Sequence, residues 1–141
     1  MADDGSDFAR SMSIATSGLR AQAGRMRVIS ENIANADSTA PTAAGNPYRR
    51  KVPTFSSALD RTLDARVVML AKVRTDQSAF RIKHEPSNPA ADATGNVRYP
   101  NVNPVVEMTD MREAQRSYEA NLNIISATRR MIQRTLDILK A

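Results

Sequence analysis

FARSMSIATSGLRAQAGRMRVISENI, residues 8–33, is the stretch on which the fold turns. Phe8, Met12, Ala15, Leu19, Gln22, Met26, Ile29 and Ile33 follow one another at alternating four- and three-residue steps. That spacing draws an apolar seam along one side of a helix and leaves the rest wet, the pattern of a helix that packs lengthwise against another. The other end of the chain repeats it through Met111, Gln115, Tyr118, Leu122, Ile125, Arg129, Ile132, Leu136 and Leu139. Met26, Val28, Ile29 and Ile33 widen the first stripe, and Met108, Ile124, Met131 and Ile138 widen the second, which predicts contact with more than one helix. Gln22, Gln115 and Arg129 interrupt the seams, either as register-setting polar residues or as imperfections in them.

Working outward, residues 1–7 read as a mobile tail, and Asp7 as the cap of a helix over 8–35. A helix of about 27 residues is about 40 Å long, and Gly18 and Gly24 each cost it about 1 kcal/mol relative to Ala. Its stability therefore comes from packing. Asn35 stands at the exit, where a left-handed residue often ends a helix.

Residues 36–106 form the middle. Ala36 to Pro53 is rich in Ser, Thr, Ala, Pro, Gly and Asn and reads as a long loop, closing on the basic patch Tyr48-Arg49-Arg50-Lys51. Ser56 to Asp64 fits a short helical turn. Arg66 to Arg74 and Ala79 to His84 carry strand-like residues and predict a hairpin through Thr75–Ser78. Pro86, Asn88, Pro89, Gly95, Pro100 and Pro104 keep the next stretch extended between turns. The second helix is expected over 107–141, with Thr109 as cap and Asp110 and Glu113 near its positive end. The fold class read from this is mainly α: long N- and C-terminal helices pairing as an α-helical coiled coil, with a small β-containing middle element and extended loops.

The composition narrows the function. The chain of 141 residues carries a formal charge of +5, but Lys and Arg are scattered among Asp and Glu. It has no cysteine, which removes disulfides and thiolate chemistry. No run approaches the roughly 18 apolar residues of a membrane span, and the small acidic residues Ala2 to Asp7 are unlike a cleavable secretory signal. No membrane insertion is expected.

Reactive groups are few. His84 is the only histidine, and its alternation with Phe80 and Ile82 makes it a partly buried strand residue. No zinc spacing, phosphate loop or nucleophile elbow occurs, so no catalytic residue, metal, cofactor or small-molecule substrate is assigned. Asp60 and Asp64 at helical spacing are commonplace. A nucleic-acid adaptor is the alternative, using Arg49, Arg50 and Lys51 with Arg129, Arg130 and Arg134. Both clusters are small and the chain is only 4% aromatic, so solvated or ion-paired charge is preferred and no nucleic-acid partner is expected.

Particular words in the sequence go further. Ser17-Gly18-Leu19-Arg20-Ala21-Gln22 and Ser30-Glu31-Asn32-Ile33-Ala34-Asn35-Ala36-Asp37-Ser38 resemble the N-terminal motif of the bacterial flagellar rod and hook family of axial proteins. Gly45 to Lys51, Val97-Arg98-Tyr99-Pro100-Asn101-Val102-Asn103 and Arg116-Ser117-Tyr118-Glu119-Ala120-Asn121 resemble its proximal rod subunits. The likeness spans nearly the whole chain in the family's order. It departs at Glu31, where many relatives have Asn, and at Asn96, where an aromatic is frequent.

The resemblance implies a non-enzymatic subunit of the basal-body rod, which crosses the periplasm and carries motor torque to the hook. It also implies delivery by the flagellar type III export apparatus without signal cleavage, and as partners other copies of the chain and other rod proteins. Its motif residues fall here on Asn32, Ala34, Asn35, Tyr99, Pro100, Asn101, Ser117, Tyr118, Ala120 and Asn121. From the seams, subunit packing is expected of Met12, Leu19, Met26, Ile29, Ile33, Met111, Tyr118, Leu122, Ile125, Ile132, Leu136 and Leu139.

Overall fold

Two terminal helices frame a middle made of two small sheets. The computed structural model describes residues 4–140. In order, these form α1 (Asp4–Ala34), β1 (Lys51–Asp60), β2 (Ala65–Thr75), β3 (Arg81–His84), β4 (Asn96–Tyr99) and α2 (Pro104–Lys140). The helices span 31 and 37 residues, about 46 Å and about 56 Å at 1.5 Å per residue.

Both helices start earlier than their capping signals predicted. α1 begins at Asp4, so the expected tail is helical over 4–7, while its residues 1–3 lie outside the described residues. Asp7 is not a cap; it holds Arg10 one turn on, at 3.2 Å. α2 begins at Pro104, and the cap is Asn103, whose Oδ1 accepts the Val105 N–H at 3.1 Å. Proline suits the first helical position because its missing N–H has no intrahelical partner there. Thr109 lies inside the helix and donates its hydroxyl to the Val105 carbonyl at 3.0 Å. At its exit α1 needs no left-handed residue: Asn35 turns back and donates Nδ2 to the Glu31 carbonyl at 2.8 Å.

The expected helical turn at 56–64 and the expected hairpin of 66–74 with 79–84 are both replaced. β1 pairs with β2 as one two-stranded ribbon, and β3 pairs with β4 as another. Asp60 Oδ1 accepts the Thr62 N–H at 2.9 Å, and Asp64 takes a left-handed φ of 46°, which Asp tolerates better than most residues. These two aspartates build the turn between β1 and β2 instead of sharing a helix face. After β2 the chain is held irregular: Arg49 donates to the carbonyls of Asp76 and Ser78, at 3.3 Å each, and stacks 4.2 Å over the Phe80 ring. β3 is thereby delivered to β4, in antiparallel register from Arg81 opposite Tyr99 to His84 opposite Asn96.

The chain divides into two compact units. One comprises Met1–Met26, Thr54–Lys72 and Glu113–Ala141. In it Arg10 Nε donates to the Leu63 carbonyl at 2.8 Å and Ser17 Oγ accepts the Val68 N–H at 3.2 Å, so α1 holds both the turn and the second strand of the β1–β2 ribbon. The other comprises Arg27–Pro53 and Val73–Arg112, with a core of Ala90, Val97 and Tyr99 against Ala91. Val97 and Val102 are fully buried there, each stabilising by about 1.5–3 kcal/mol. His84 is exposed, not partly buried, and its Nδ1 lies 3.2 Å from Asn96 Oδ1.

Candidate functional site

The last turn of α1, the residues leading into β1 and the first turn of α2 meet at a buried polar cluster. Asn32 and Glu107 are 0% and 1% exposed, which for a carboxylate demands partners. Asn32 Oδ1 accepts from the Tyr48 hydroxyl at 2.8 Å and from the Lys51 N–H at 2.9 Å. Its Nδ2 donates to the Lys51 carbonyl at 2.8 Å and to Glu107 Oε2 at 3.0 Å. Two acceptances and two donations use the whole capacity of an amide side chain.

Arg50 completes the charge balance. Its Nε donates to Glu107 Oε1 at 2.5 Å, and its other nitrogens lie 3.9 Å from Asp76 and 3.6 Å from Asp110. Lys51 forms an ion pair with Glu31. Tyr48 is pushed up to about 12 by burial, with the charges of Glu31 and Glu107 adding to the effect. Asp76 is held below its usual range, first by the Ser78 hydrogen bonds and then by the nearby Arg50 and Arg49. Each of the three cations of the basic patch has a partner within the chain: Arg49 the carbonyls of Asp76 and Ser78, Arg50 Glu107, and Lys51 Glu31.

The other motif segment supports the same region. Tyr99 and Pro100 are buried. Tyr99 donates its hydroxyl to Glu85 at 2.8 Å, which lowers the Glu85 carboxyl and raises the Tyr99 phenol. Asn101 accepts the Arg50 N–H at 2.8 Å and donates to Ser78 Oγ at 2.8 Å. Arg81 joins the exit of α1 to the end of β4, donating to the carbonyls of Ala36 at 2.6 Å and Pro100 at 3.0 Å. Of the motif residues, Ala34 and Ala120 are exposed and Ser117, Tyr118 and Asn121 half-buried.

The seam residues divide by exposure. Ile29 is buried; Met12, Leu19, Met26, Ile33, Met111, Tyr118, Ile125 and Ile132 are half-buried; Leu122, Leu136 and Leu139 are exposed. Ala15, Ala21, Val28, Ala114 and Thr128 are buried beside them. A second exposed stripe runs along α2 through Ile124, Met131 and Ile138, spaced seven apart. Arg129, Arg130 and Arg134 stand exposed on the same helix. Of the interrupting residues, Gln115 and Arg129 are exposed, and Gln22 has its Oε1 buried without a hydrogen-bond partner among the described residues.

The sequence pattern did not mark Tyr48, Lys51 and Glu107 as partners of Asn32, or Arg50 as the partner of Glu107. The available signals were a lone acid after Pro104-Val105-Val106 and the helix-opening pair Asn103-Pro104.

Known families match two segments of the chain, one toward each end. Residues 12–40 match the family model described as flagella basal body rod protein, and residues 93–138 match that for the C-terminal region of flagellar basal body rod FlgEFG proteins. A flagellar basal-body rod protein FlgC of Agrobacterium fabrum is 51% identical over 128 residues, covering 91% of this chain and 92% of that one. The chain belongs to the FlgC family of flagellar basal-body rod proteins. FlgC of Aquifex aeolicus is 37% identical over 134 residues, 95% of this chain and 98% of its own. FlgC of Salmonella typhimurium is 40% identical over 126 residues, 89% and 92% of the two chains. In this FlgC-family chain, Asn32 falls within the first matched segment and Glu107 within the second, and the polar cluster brings them together.

Proposed function

We propose that this FlgC-family chain, a structural subunit of the flagellar basal-body rod, builds the proximal rod through its terminal helices and makes a shaft that carries torque from motor to hook. One observation carries the reading: Leu122, Leu136, Leu139 and the Ile124–Met131–Ile138 stripe lie exposed on α2. Apolar side chains at these spacings gain about 25 cal/mol per Å² when a neighbour covers them, and lengthwise contacts of this kind resist shear.

Coiled-coil pairing of α1 with α2 within the chain is part of the proposal. It is supported by residues 18, 25 and 32 of α1, one heptad apart. Gly18 lies against Asn121, Arg25 meets Glu113 at 3.4 Å, and Asn32 meets Glu107, the partner number falling as the α1 number rises. The half-buried seam residues then serve that pairing and the exposed ones the neighbouring subunits, both other copies and other rod proteins. Export through the flagellar type III apparatus without a cleaved signal, and residence in the rod across the periplasm, belong to the same reading. Among the described residues no helix is long and apolar enough to cross a membrane. A non-enzymatic role completes it.

The test is charge on the exposed stripe. Leu122→Asp and Ile138→Asp strains are expected to export the subunit yet build no rod and fail to swim. Normal swimming in both strains overturns the proposal.

A further inference from the structure

The Asn32–Glu107–Arg50 cluster is an expensive way to fill space. Taking a carboxylate and a guanidinium nitrogen out of water offsets most of what their attraction returns, and apolar side chains of similar volume often stabilise such a site as well or better. Apolar side chains, however, discriminate poorly between alignments that keep the same face inward, such as a two-residue slip. Hydrogen-bonding groups discriminate better, and a single buried Asn can fix helix register by that means.

Asn32 has the geometry for this. Its amide pairs with the N–H and the C=O of one residue, Lys51, at 2.9 and 2.8 Å, as a neighbouring strand would. A one-residue slip of the 48–51 segment turns those groups to the opposite side. A two-residue slip offers Arg49 in place of Lys51, but it carries the Tyr48 hydroxyl away from Asn32 and Arg50 Nε away from Glu107. It also breaks the 2.8 Å bond between the Arg50 N–H and Asn101 Oδ1. Each wrong alignment leaves a buried carboxylate and a buried amide short of partners.

We infer that the cluster is a register lock. It selects one alignment of residues 48–51 against the end of α1 and the start of α2, and stability is not its role.

The chain contains no cysteine, so engineered pairs report alignment without background. In the full-length protein, Glu31→Cys with Lys51→Cys reads the native alignment and Glu31→Cys with Arg49→Cys reads the two-residue slip, using a short bis-maleimide. With the native cluster, the slipped pair should cross-link about tenfold less than the native pair. In the triple variant Asn32→Leu/Arg50→Met/Glu107→Leu the melting temperature should equal or exceed that of the native chain, and both pairs should cross-link comparably. A triple variant that unfolds, or one that keeps cross-linking through position 51 alone, overturns the inference. Asn32→Asp gives a second reading, because it replaces both donors with acceptors while leaving the Glu107–Arg50 pair. Slipped cross-linking should rise in it, and an unchanged pattern likewise refutes the lock.

Discussion

The amide of Asn121 lies directly over the bare Cα of Gly18: a Cβ placed on residue 18 would stand 2.8 Å from both its Nδ2 and its Oδ1. The amide is not free to swing, since Nδ2 donates to the Ser117 carbonyl at 2.9 Å. Gly18→Ala therefore gains about 1 kcal/mol in helix propensity and loses about 1–3 to overpacking. The variant should melt below the native chain, and adding Asn121→Ala should recover the loss. Gly24 is the control. A Cβ there meets a single Leu70 methyl, the far end of a flexible side chain, so Gly24→Ala should be stabilising by up to about 1 kcal/mol in urea titrations.

Asn103 caps α2 through one side-chain bond to Val105. Asn103→Ala should cost about 1 kcal/mol, and Asn103→Ser or Asn103→Asp should cost little. Chemical denaturation of the three variants orders them. Equal loss in all three would show that the side-chain acceptor is not what holds the turn.

Tyr48 sets an alkaline limit. Its phenol rises from 10.0 to about 12 in the folded chain, so the folded state holds the proton more tightly than the unfolded one. The stability this contributes is complete below pH 10 and is lost as pH rises through about 12. Urea midpoints should fall across that window. Tyr48→Phe should flatten the fall, leaving the smaller slope due to Tyr99, whose phenol is also raised. The same variant should lower stability at neutral pH by about 1 kcal/mol, for the lost bond to Asn32.

Gln22 interrupts the first seam with a buried Oε1 that no described group satisfies. Such an orphan costs about 1–3 kcal/mol. Gln22→Met, of similar length, should raise the melting temperature, whereas a Gln22 that fixes register should resist the change and melt lower.

The helices were legible because heptad spacing depends only on neighbours along the chain: Phe8 to Ile33 and Met111 to Leu139 stand in α1 and α2 as read. The start of α2 was not, because Pro104 reads locally as a breaker, although proline is favoured as the first helical residue. Strand partners were misassigned for a different reason. The segment between β2 and β3 is held out of a hairpin by Arg49 and Asn101, which bind the carbonyls of residues 76 and 78 from distant positions. Local pattern carries no trace of that. Among the motif residues, Asn32 was marked by the family likeness alone. Its burial, and its bonds to Tyr48, Lys51 and Glu107, depend on contacts as far apart as 75 residues.

The full use of the Asn32 amide also limits how the gene can drift. A single-base change turns an asparagine codon into one for Asp, His, Tyr, Ser, Thr, Ile or Lys. None of these side chains presents two donors and two acceptors from one short planar group. Every one-step mutant at position 32 therefore leaves at least one of Tyr48, Lys51 and Glu107 unanswered, and the glutamine that offers the same chemistry lies two base changes away and one methylene too long. Position 32 is an island in codon space, with no neutral first step leading off it.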